Sequence, residues 1–158
     1  MAERQFSSLY IGEALFGIDI LLIREINKHL EITPVDQAPD FVRGLLNLRG
    51  QVITVLDLGI RLGMGALRIS KASRCVILKT SSELSGVEGL DDNTCEDVVG
   101  LLVDRVGDVV GIDTTSMEPP PANVNGVDSR YMQGVVKLED DLMVVINVGE
   151  VLRMEDKT

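Results

Sequence analysis

An internal repeat is the feature of this sequence that most constrains its fold. Residues 41–62 align without gaps on residues 131–152, and five of the 22 aligned positions are identical. Glycines and apolar residues recur at matching places, as at Gly44 and Gly134. Self-similarity of this kind predicts one structural unit that is built twice, by duplication.

A second, weaker match extends the repeat toward the N-terminus. Residues 16–26 resemble residues 99–109, with Gly17 on Gly100, and the offset is 83 instead of 90. We therefore expect two related lobes in one domain of 158 residues, followed by a short charged tail. The predicted bounds are about 1–70 for lobe 1, about 71–152 for lobe 2 and 153–158 for the tail.

Each lobe has the pattern of short strands joined by turns. Aromatic residues make up only 3% of the chain, so its core must consist mainly of Val, Ile and Leu, which favour strands. Residues 21–26 also fit half a helix by spacing, and Pro39 is expected to open one helical turn over residues 40–43. The predicted strands are residues 6–11, 15–18, 21–26, 45–48, 52–56, 74–79, 98–103, 106–112, 135–138 and 142–146.

These elements predict an all-β fold with short helical turns. Several short strands with glycine-rich turns are typical of small barrels or of a sandwich. Since a lobe of about 70 residues buries a modest core by itself, we expect the two lobes to share apolar contacts.

The turn Arg49-Gly50, between two predicted strands, contains the candidate binding residue. Glycine reaches positive φ angles at little steric cost, so it explains the turn, but the turn does not require an arginine. In the repeat, Glu139 and Asp140 occupy the same positions. The architecture therefore folds without Arg49, which favours a role in binding over a role in the fold.

Charge and residue content exclude several classes of function. Fifteen basic and 25 acidic residues give a net charge of −10, which disfavours nucleic-acid binding. Cys75 and Cys95 lack the spacing of a zinc site, and the single histidine, His29, lies in a polar stretch typical of a turn. The sequence predicts no catalytic residue, metal site or cofactor.

The acidic segment 80–97 is predicted to be a surface loop. Its carboxylates lack the spacing and the central glycine of an EF-hand. The opening residues MAERQFSS lack the apolar stretch of a signal peptide, and no apolar run reaches the length of about 20 residues that spans a membrane. We therefore expect a cytoplasmic protein that does not insert into the membrane.

Taken together, these motifs resemble those of the CheW family of bacterial chemosensory adaptors. The resemblance rests on FGIDILLIREI, GLLNLRGQVITVLDL, VVGLLVDRVGDVV and YMQGVVKLEDDLMVVINV, in this order along the chain. It implies a single CheW-like domain without catalytic activity, made of two small five-stranded β-barrel lobes that pack through a shared apolar core. Thr54 departs from the family, which often has proline there.

The resemblance also implies partners. These are the regulatory domain of a CheA-type histidine kinase, the cytoplasmic tips of methyl-accepting chemoreceptors and other CheW-like domains in rings, with recruitment to membrane-associated receptor arrays. The alternative is a small acidic β-barrel module that binds another protein.

The family pattern carries over to six positions of this chain. Arg49 matches an arginine linked to receptor and kinase coupling, Glu25 an acidic residue that pairs with it, and Ile23 an apolar position at the receptor-facing groove. Side chains alternate along a strand, so Ile23 and Glu25 are expected to share a face. The other expected binding residues complete the turn motif: Asn47, Leu48 and Gly50.

Overall fold

The computed structural model describes residues 3–84, 97–124 and 126–153. Within these ranges the chain forms mainly strands, together with two short α-helices and three 3-10 turns. The strands are Glu3–Ile11 (β1), Ala14–Asp19 (β2), Ile23–Asn27 (β3), Ile32–Thr33 (β4), Val42–Leu48 (β5), Gln51–Asp57 (β6), Arg74–Leu78 (β7), Val99–Val103 (β8), Arg105–Asp113 (β9), Asn123–Val124 (β10), Val127–Asp128 (β11), Met132–Lys137 (β12) and Leu142–Ile146 (β13). The helices are Leu58–Arg61 (α1) and Val148–Val151 (α2), and the 3-10 turns are Ile20–Leu22, Thr114–Ser116 and Ser129–Tyr131.

The strands form two large sheets and one small ribbon. The first sheet has the order β12-β13-β2-β1-β9, the second has the order β3-β7-β8-β6-β5-β4, and β10 pairs with β11. The predicted all-β class with short helical turns and two lobes is thus confirmed. The two small five-stranded β-barrel lobes of the prediction are not closed barrels, because the described strands pair as sheets of five and six. Hydrophobic patterning does not specify closure.

Both large sheets contain strands from both halves of the chain. The first sheet joins β1 and β2 to β9, β12 and β13, and the second joins β3–β6 to β7 and β8. The sheets therefore do not coincide with the lobes expected at residues 1–70 and 71–152. Two copies of one pattern present equivalent strand partners, so sequence similarity cannot tell which copy a strand will join.

The exchange of strands is reciprocal and in register. Strand β13 runs parallel to β2 and pairs Val145 with Gly17, while β6 runs parallel to β8 and pairs Val55 with Gly100. These four residues are two aligned pairs of the internal repeat. The sequence alignment therefore matches the strand pairing, with the copies swapped between the sheets.

Both copies use glycine and a capping residue in the same way. A Cβ atom at Gly44 would collide with the carbonyl oxygen of Thr33, and one at Gly134 with that of Glu118. Helices α1 and α2 begin after Asp57 and Asn147, whose side chains accept hydrogen bonds from the amides three residues later, at 3.1 and 3.2 Å. The aligned positions of the repeat therefore include residues that shape the backbone in both copies.

One apolar core joins the two sheets. It contains Leu9 and Phe16 of the first sheet, together with Leu56, Leu101 and Ile77 of the second, all of them fully buried. Burial of such a side chain contributes about 1.5–3 kcal/mol. The predicted shared apolar core is confirmed, and the two sheets depend on each other for stability.

Arg61 of α1 connects the two copies beside this core. Its Nε donates a hydrogen bond of 2.8 Å to the carbonyl oxygen of Val151 in α2. Its guanidinium also lies over the rings of Phe41 and Tyr131, 4.5 and 5.6 Å from their centroids. Phe41 and Tyr131 are aligned residues of the repeat, so this arginine lies where the two copies face each other.

Local structure departs from expectation at two points. Pro39 opens a hydrogen-bonded turn instead of a helical one, since the amide of Val42 donates to its carbonyl oxygen at 2.9 Å and β5 begins there. The segment expected as one strand at 21–26 begins inside the 3-10 turn Ile20–Leu22, which Asp19 caps.

Most of the acidic segment 80–97 and the tail beyond Arg153 lie outside the described residues. No helix in the described part of the chain is long and apolar enough to cross a membrane.

Candidate partner-binding site

The turn between β5 and β6 has a tight two-residue geometry. Arg49 has φ +50° and Gly50 has φ +85°, and the flanking residues Leu48 and Gln51 pair directly. Positive φ at both central residues is the pattern of a type I′ turn, which favours Asn, Asp and Gly. The left-handed region costs other residues about 1–2 kcal/mol. The backbone conformation therefore does not explain why position 49 is an arginine.

Asn47 helps to hold this turn. Its side-chain oxygen accepts a hydrogen bond of 3.1 Å from the amide of Gly50. Leu48 is half-buried and packs against the main core, whereas Asn47, Arg49 and Gly50 are exposed. Residues 47–50 thus combine one side chain that packs on the core with three exposed residues at the tip of the hairpin.

Arg49 forms an ion pair with Glu25 of β3. The Nη2 atom of the arginine donates to the Oε2 atom of the glutamate. The side chain of Arg49 is nevertheless 70% exposed, against 29% for Glu25. A pair this exposed contributes only about 0–1 kcal/mol to stability. Its main physical effect is to restrict the orientation of the guanidinium.

The register of β3 separates Ile23 from Glu25. Ile23 pairs with Leu78 and Glu25 with Ile77, with an irregularity between the two pairs, at Arg24. Directly paired residues share a face and adjacent residues alternate, so Ile23 and Glu25 do not lie on one face as expected. Ile23 is half-buried against the main core, while Glu25 reaches the turn.

Two further residues at this site were not found by sequence reasoning. Val52, which pairs with Asn47, is 58% exposed and adds one exposed apolar side chain beside the turn. Arg24 donates from Nε and Nη2 to the carboxylate of Glu83, at 3.2 and 2.6 Å, and from Nη1 to Gln51, at 3.1 Å. The only sequence signal for Arg24 was its position next to Glu25.

Glu83 is held as a carboxylate at this site. The hydrogen bond from Arg24 lowers the pKa of Glu83 below its ordinary value, and the backbone amide of Thr80 adds to the effect. The Thr80 hydroxyl in turn accepts from the amide of Glu83, at 3.3 Å, which is a reciprocal arrangement like a capping box. The start of the acidic segment is therefore anchored to β3.

The described residues offer binding groups but no catalytic constellation. They include no cluster of three or more His, Cys, Asp or Glu side chains that could hold a metal ion. Burial raises the pKa of the Cys75 thiol to about 12, so it is a poor nucleophile. His29 is exposed, and its backbone bonds with the Asn27 side chain form the expected turn.

Comparison with known proteins identifies the family of the chain. Residues 5–156 match the family model described as CheW-like domain. The chain belongs to the CheW-like domain family. Proteins of this family are non-catalytic scaffolds, and the chain accordingly is not an enzyme.

Several relatives match over most of their length. The chain is 27% identical over 154 residues to the chemotaxis protein CheW of Rhizobium meliloti (strain 1021), covering 98% of this chain and 90% of that protein. It is 27% identical over 135 residues to protein FrzA of Myxococcus xanthus, covering 85% of this chain and 75% of that protein. The crystal structure of the scaffolding protein TtCheW from Thermoanaerobacter tengcongensis matches with a TM-score of 0.81 and 31% identity, over 99% of this chain and 92% of that one.

Proposed function

We propose that this CheW-like chain is a chemosensory adaptor that couples chemoreceptor tips to the regulatory domain of a CheA-type histidine kinase. The observation that carries the proposal is the exposed Arg49, paired with Glu25 on the fold of a scaffold family. The residues proposed to contact partners are Glu25, Asn47, Arg49 and Gly50, with Ile23 and Leu48 supporting them from the core side.

Arg49 supplies the polar part of the proposed contact. Only Nη2 donates to Glu25, and 70% of the side chain remains exposed. A planar guanidinium can bind a second carboxylate through its other N–H groups, and charge-assisted bonds of this kind fix orientation as well as strength. An acidic residue of the receptor tip or kinase domain is the group that this surface suits.

Val52 supplies the apolar part. It is exposed next to the turn, where an apolar helical face of a receptor hairpin can cover it in a helix-in-groove mode. Exposed strands of the sheets then remain for the kinase domain and for other CheW-like domains in rings. These partners place the adaptor on the cytoplasmic side of membrane-associated receptor arrays.

No bond is made or broken in this function. The adaptor transmits a signal if its contacts with receptor or kinase differ between the two signalling states, since only a difference in binding free energy can shift an equilibrium. A rigid connector suits this task because a change at one contact then alters the geometry of the other.

A binding and activity experiment tests the proposal. The purified chain is incubated with the regulatory domain of the cognate CheA and, separately, with receptor-tip fragments, and kinase activity is measured in the reconstituted three-part complex. We expect capture of both partners and receptor-dependent kinase activity. Capture of neither by the folded protein would contradict the proposal and would favour an acidic binding module for another protein.

A further inference from the structure

The β5–β6 turn is tied to β3 by two consecutive residues of that strand. Glu25 accepts from Arg49, the first residue of the turn, and Arg24 donates to Gln51, the residue that follows the turn, at 3.1 Å. The two links therefore hold the turn on both of its sides. A link on one side alone would leave the turn able to pivot about it.

The irregularity in β3 explains how two neighbouring side chains reach one turn. In a regular strand, consecutive side chains point to opposite faces. Between the pairs Ile23–Leu78 and Glu25–Ile77 the strand holds one extra residue, Arg24. An extra residue of this kind disrupts the strict alternation of faces and locally redirects side chains.

Glu83 fixes the position of Arg24. Its two carboxylate oxygens accept from Nε and Nη2, at 3.2 and 2.6 Å, which leaves Nη1 for Gln51. The next residue, Leu84, is 1% exposed and belongs to the main core. Glu83 is therefore held between a core residue and the Thr80 turn, and it presents a fixed acceptor to Arg24.

The second copy of the repeat lacks this arrangement. Gly107 and Asp108 align with Arg24 and Glu25, and Glu139 aligns with Arg49. Two carboxylates at the positions of Glu25 and Arg49 would repel each other, and glycine has no side chain to reach the turn. The scaffold folds its second hairpin without these links, so they are not a requirement of the architecture.

We propose that Arg24, held by Glu83, is a positioning residue for Arg49, because it fixes the far side of the β5–β6 turn through Gln51. This inference rests on the proposed function, in which Arg49 contacts the partner. Arg24 acts by keeping the turn in the orientation that Arg49 needs before binding, and preorganisation of this kind improves affinity by lowering the entropy lost on association.

A double-mutant cycle tests the inference. Dissociation constants for the CheA regulatory domain and for a receptor-tip fragment are measured with the unchanged chain, Arg24→Ala, Arg49→Ala and the double variant. We expect Arg24→Ala alone to weaken binding about fivefold and to have no further effect when Arg49 is already alanine, since coupled residues are not additive. Arg68→Ala, at an exposed arginine outside this network, serves as the control and leaves both constants unchanged.

Two further measurements separate positioning from a general loss of structure. Thermal unfolding identifies any variant that fails to fold, and Glu83→Gln gives a second, milder way to loosen Arg24. Nitrogen-15 relaxation of the Arg49 Nε–H group reports its mobility directly, and we expect that mobility to increase in Arg24→Ala and in Glu83→Gln. A purely structural role would leave Arg49 as ordered as before in a folded variant.

The outcomes distinguish this inference from the proposed function. If Arg49→Ala leaves both dissociation constants unchanged, the proposed contact of Arg49 is wrong, and the positioning role of Arg24 is contradicted as well. If Arg49→Ala weakens binding but Arg24→Ala does not, or if the two losses multiply, the positioning role is overturned while the proposed function stands.

Discussion

Glu25 and Arg49 form an ion pair that joins strand β3 to the tip of the β5–β6 hairpin. Arg49 makes this pair from a left-handed backbone conformation, with φ +50°. An exposed pair returns no more than about 1 kcal/mol, and the backbone conformation costs at least as much. Arg49 therefore adds little to folding, and stability and partner binding can be separated at this residue.

Reversing the charge of Arg49 should affect coupling and not folding. We expect Arg49→Glu to change the free energy of unfolding by about 1 kcal/mol or less, because the site is exposed. We expect it to weaken receptor–kinase coupling about tenfold or more, since it places a like charge where a partner carboxylate binds. Circular dichroism with urea titration measures the first quantity, and a reconstituted kinase assay measures the second. Loss of folding would show instead that the arginine is structural.

Comparing glycine with alanine at position 49 separates the backbone from the side chain. Both Arg49→Gly and Arg49→Ala remove the ion pair, but only alanine retains the steric cost of φ +50°. We expect the glycine variant to be more stable than the alanine variant by about 1 kcal/mol. Urea unfolding measures this difference, and both variants should bind partners equally weakly. An alanine variant as stable as the glycine variant would show that the turn relaxes to another geometry.

Gly44 should tolerate no side chain. Its φ is +146°, and a Cβ atom there would overlap the carbonyl oxygen of Thr33 on the neighbouring strand β4. We expect Gly44→Ala to lower the free energy of unfolding by about 3 kcal/mol or more. The control is Gly12→Ala, where φ is +60° but a Cβ atom meets nothing within 4 Å, and the expected loss is about 1 kcal/mol. Equal losses in thermal or urea unfolding would contradict the proposed clash.

The buried carboxylate of Asp57 should be more sensitive than the aligned amide of Asn147. One oxygen of Asp57 accepts from Arg43 at 2.9 Å and from the amide of Leu67 at 3.0 Å. The other oxygen accepts from the amide of Ile60, so the NH2 group of Asp57→Asn would face at least one donor in either orientation of the amide. We expect a loss of about 2–4 kcal/mol.

The reverse change in the other copy provides the matched control for Asp57. Asn147→Asp keeps an oxygen for the amide of Glu150, which Asn147 bonds at 3.2 Å. We expect this variant to unfold within about 1 kcal/mol of the unchanged chain. A larger loss of unfolding free energy in Asn147→Asp than in Asp57→Asn would contradict the greater sensitivity that we assign to Asp57.

Glu83 should contribute a pH-dependent part of the stability. The Arg24 hydrogen bond lowers the pKa of this carboxyl from its ordinary value of 4.5 in the folded protein. A group whose pKa is lowered on folding stabilises the protein above the unfolded-state value, and this contribution is lost as pH falls through the folded-state value. The stability of the unchanged chain minus that of Glu83→Gln should therefore be constant above about pH 5 and decrease at more acidic pH. A difference that is independent of pH would contradict the ion pair with Arg24.

Sequence reasoning predicted the elements whose cause is local. The Arg49-Gly50 turn followed from glycine between two apolar runs, and the internal alignment placed Gly44 and Gly134 in equivalent positions, each of which leaves no room for a Cβ atom. Short helices were expected, but α1 and α2 were not placed, although Asp57 and Asn147 occupy aligned positions and cap both of them. Side-chain capping was the signal that could have located them.

Long-range pairing was beyond the reach of sequence patterns. The hydrophobic pattern of β2 fits a partner in either copy, so it could not show that β2 pairs with β13. The extra residue in β3 at Arg24 was equally invisible, because a bulge depends on the neighbouring strand β7. For this reason the expected shared face of Ile23 and Glu25 was wrong, and the links from Arg24 to Glu83 and Gln51 were missed.

The pairing of β1 with the distant strand β9 also has a consequence for biosynthesis. Strand β1 pairs with β2 along one edge and with β9 along the other, where Tyr10 pairs with Arg105 and Glu3 with Asp113. That second edge therefore stays unpaired until about 95 to 110 further residues have been synthesised. At typical translation rates of about 5–20 residues per second, the β1–β2 hairpin waits on the order of 5–20 s with unpaired strand edges outside the ribosome. During that interval the edges of this hairpin need protection from aggregation.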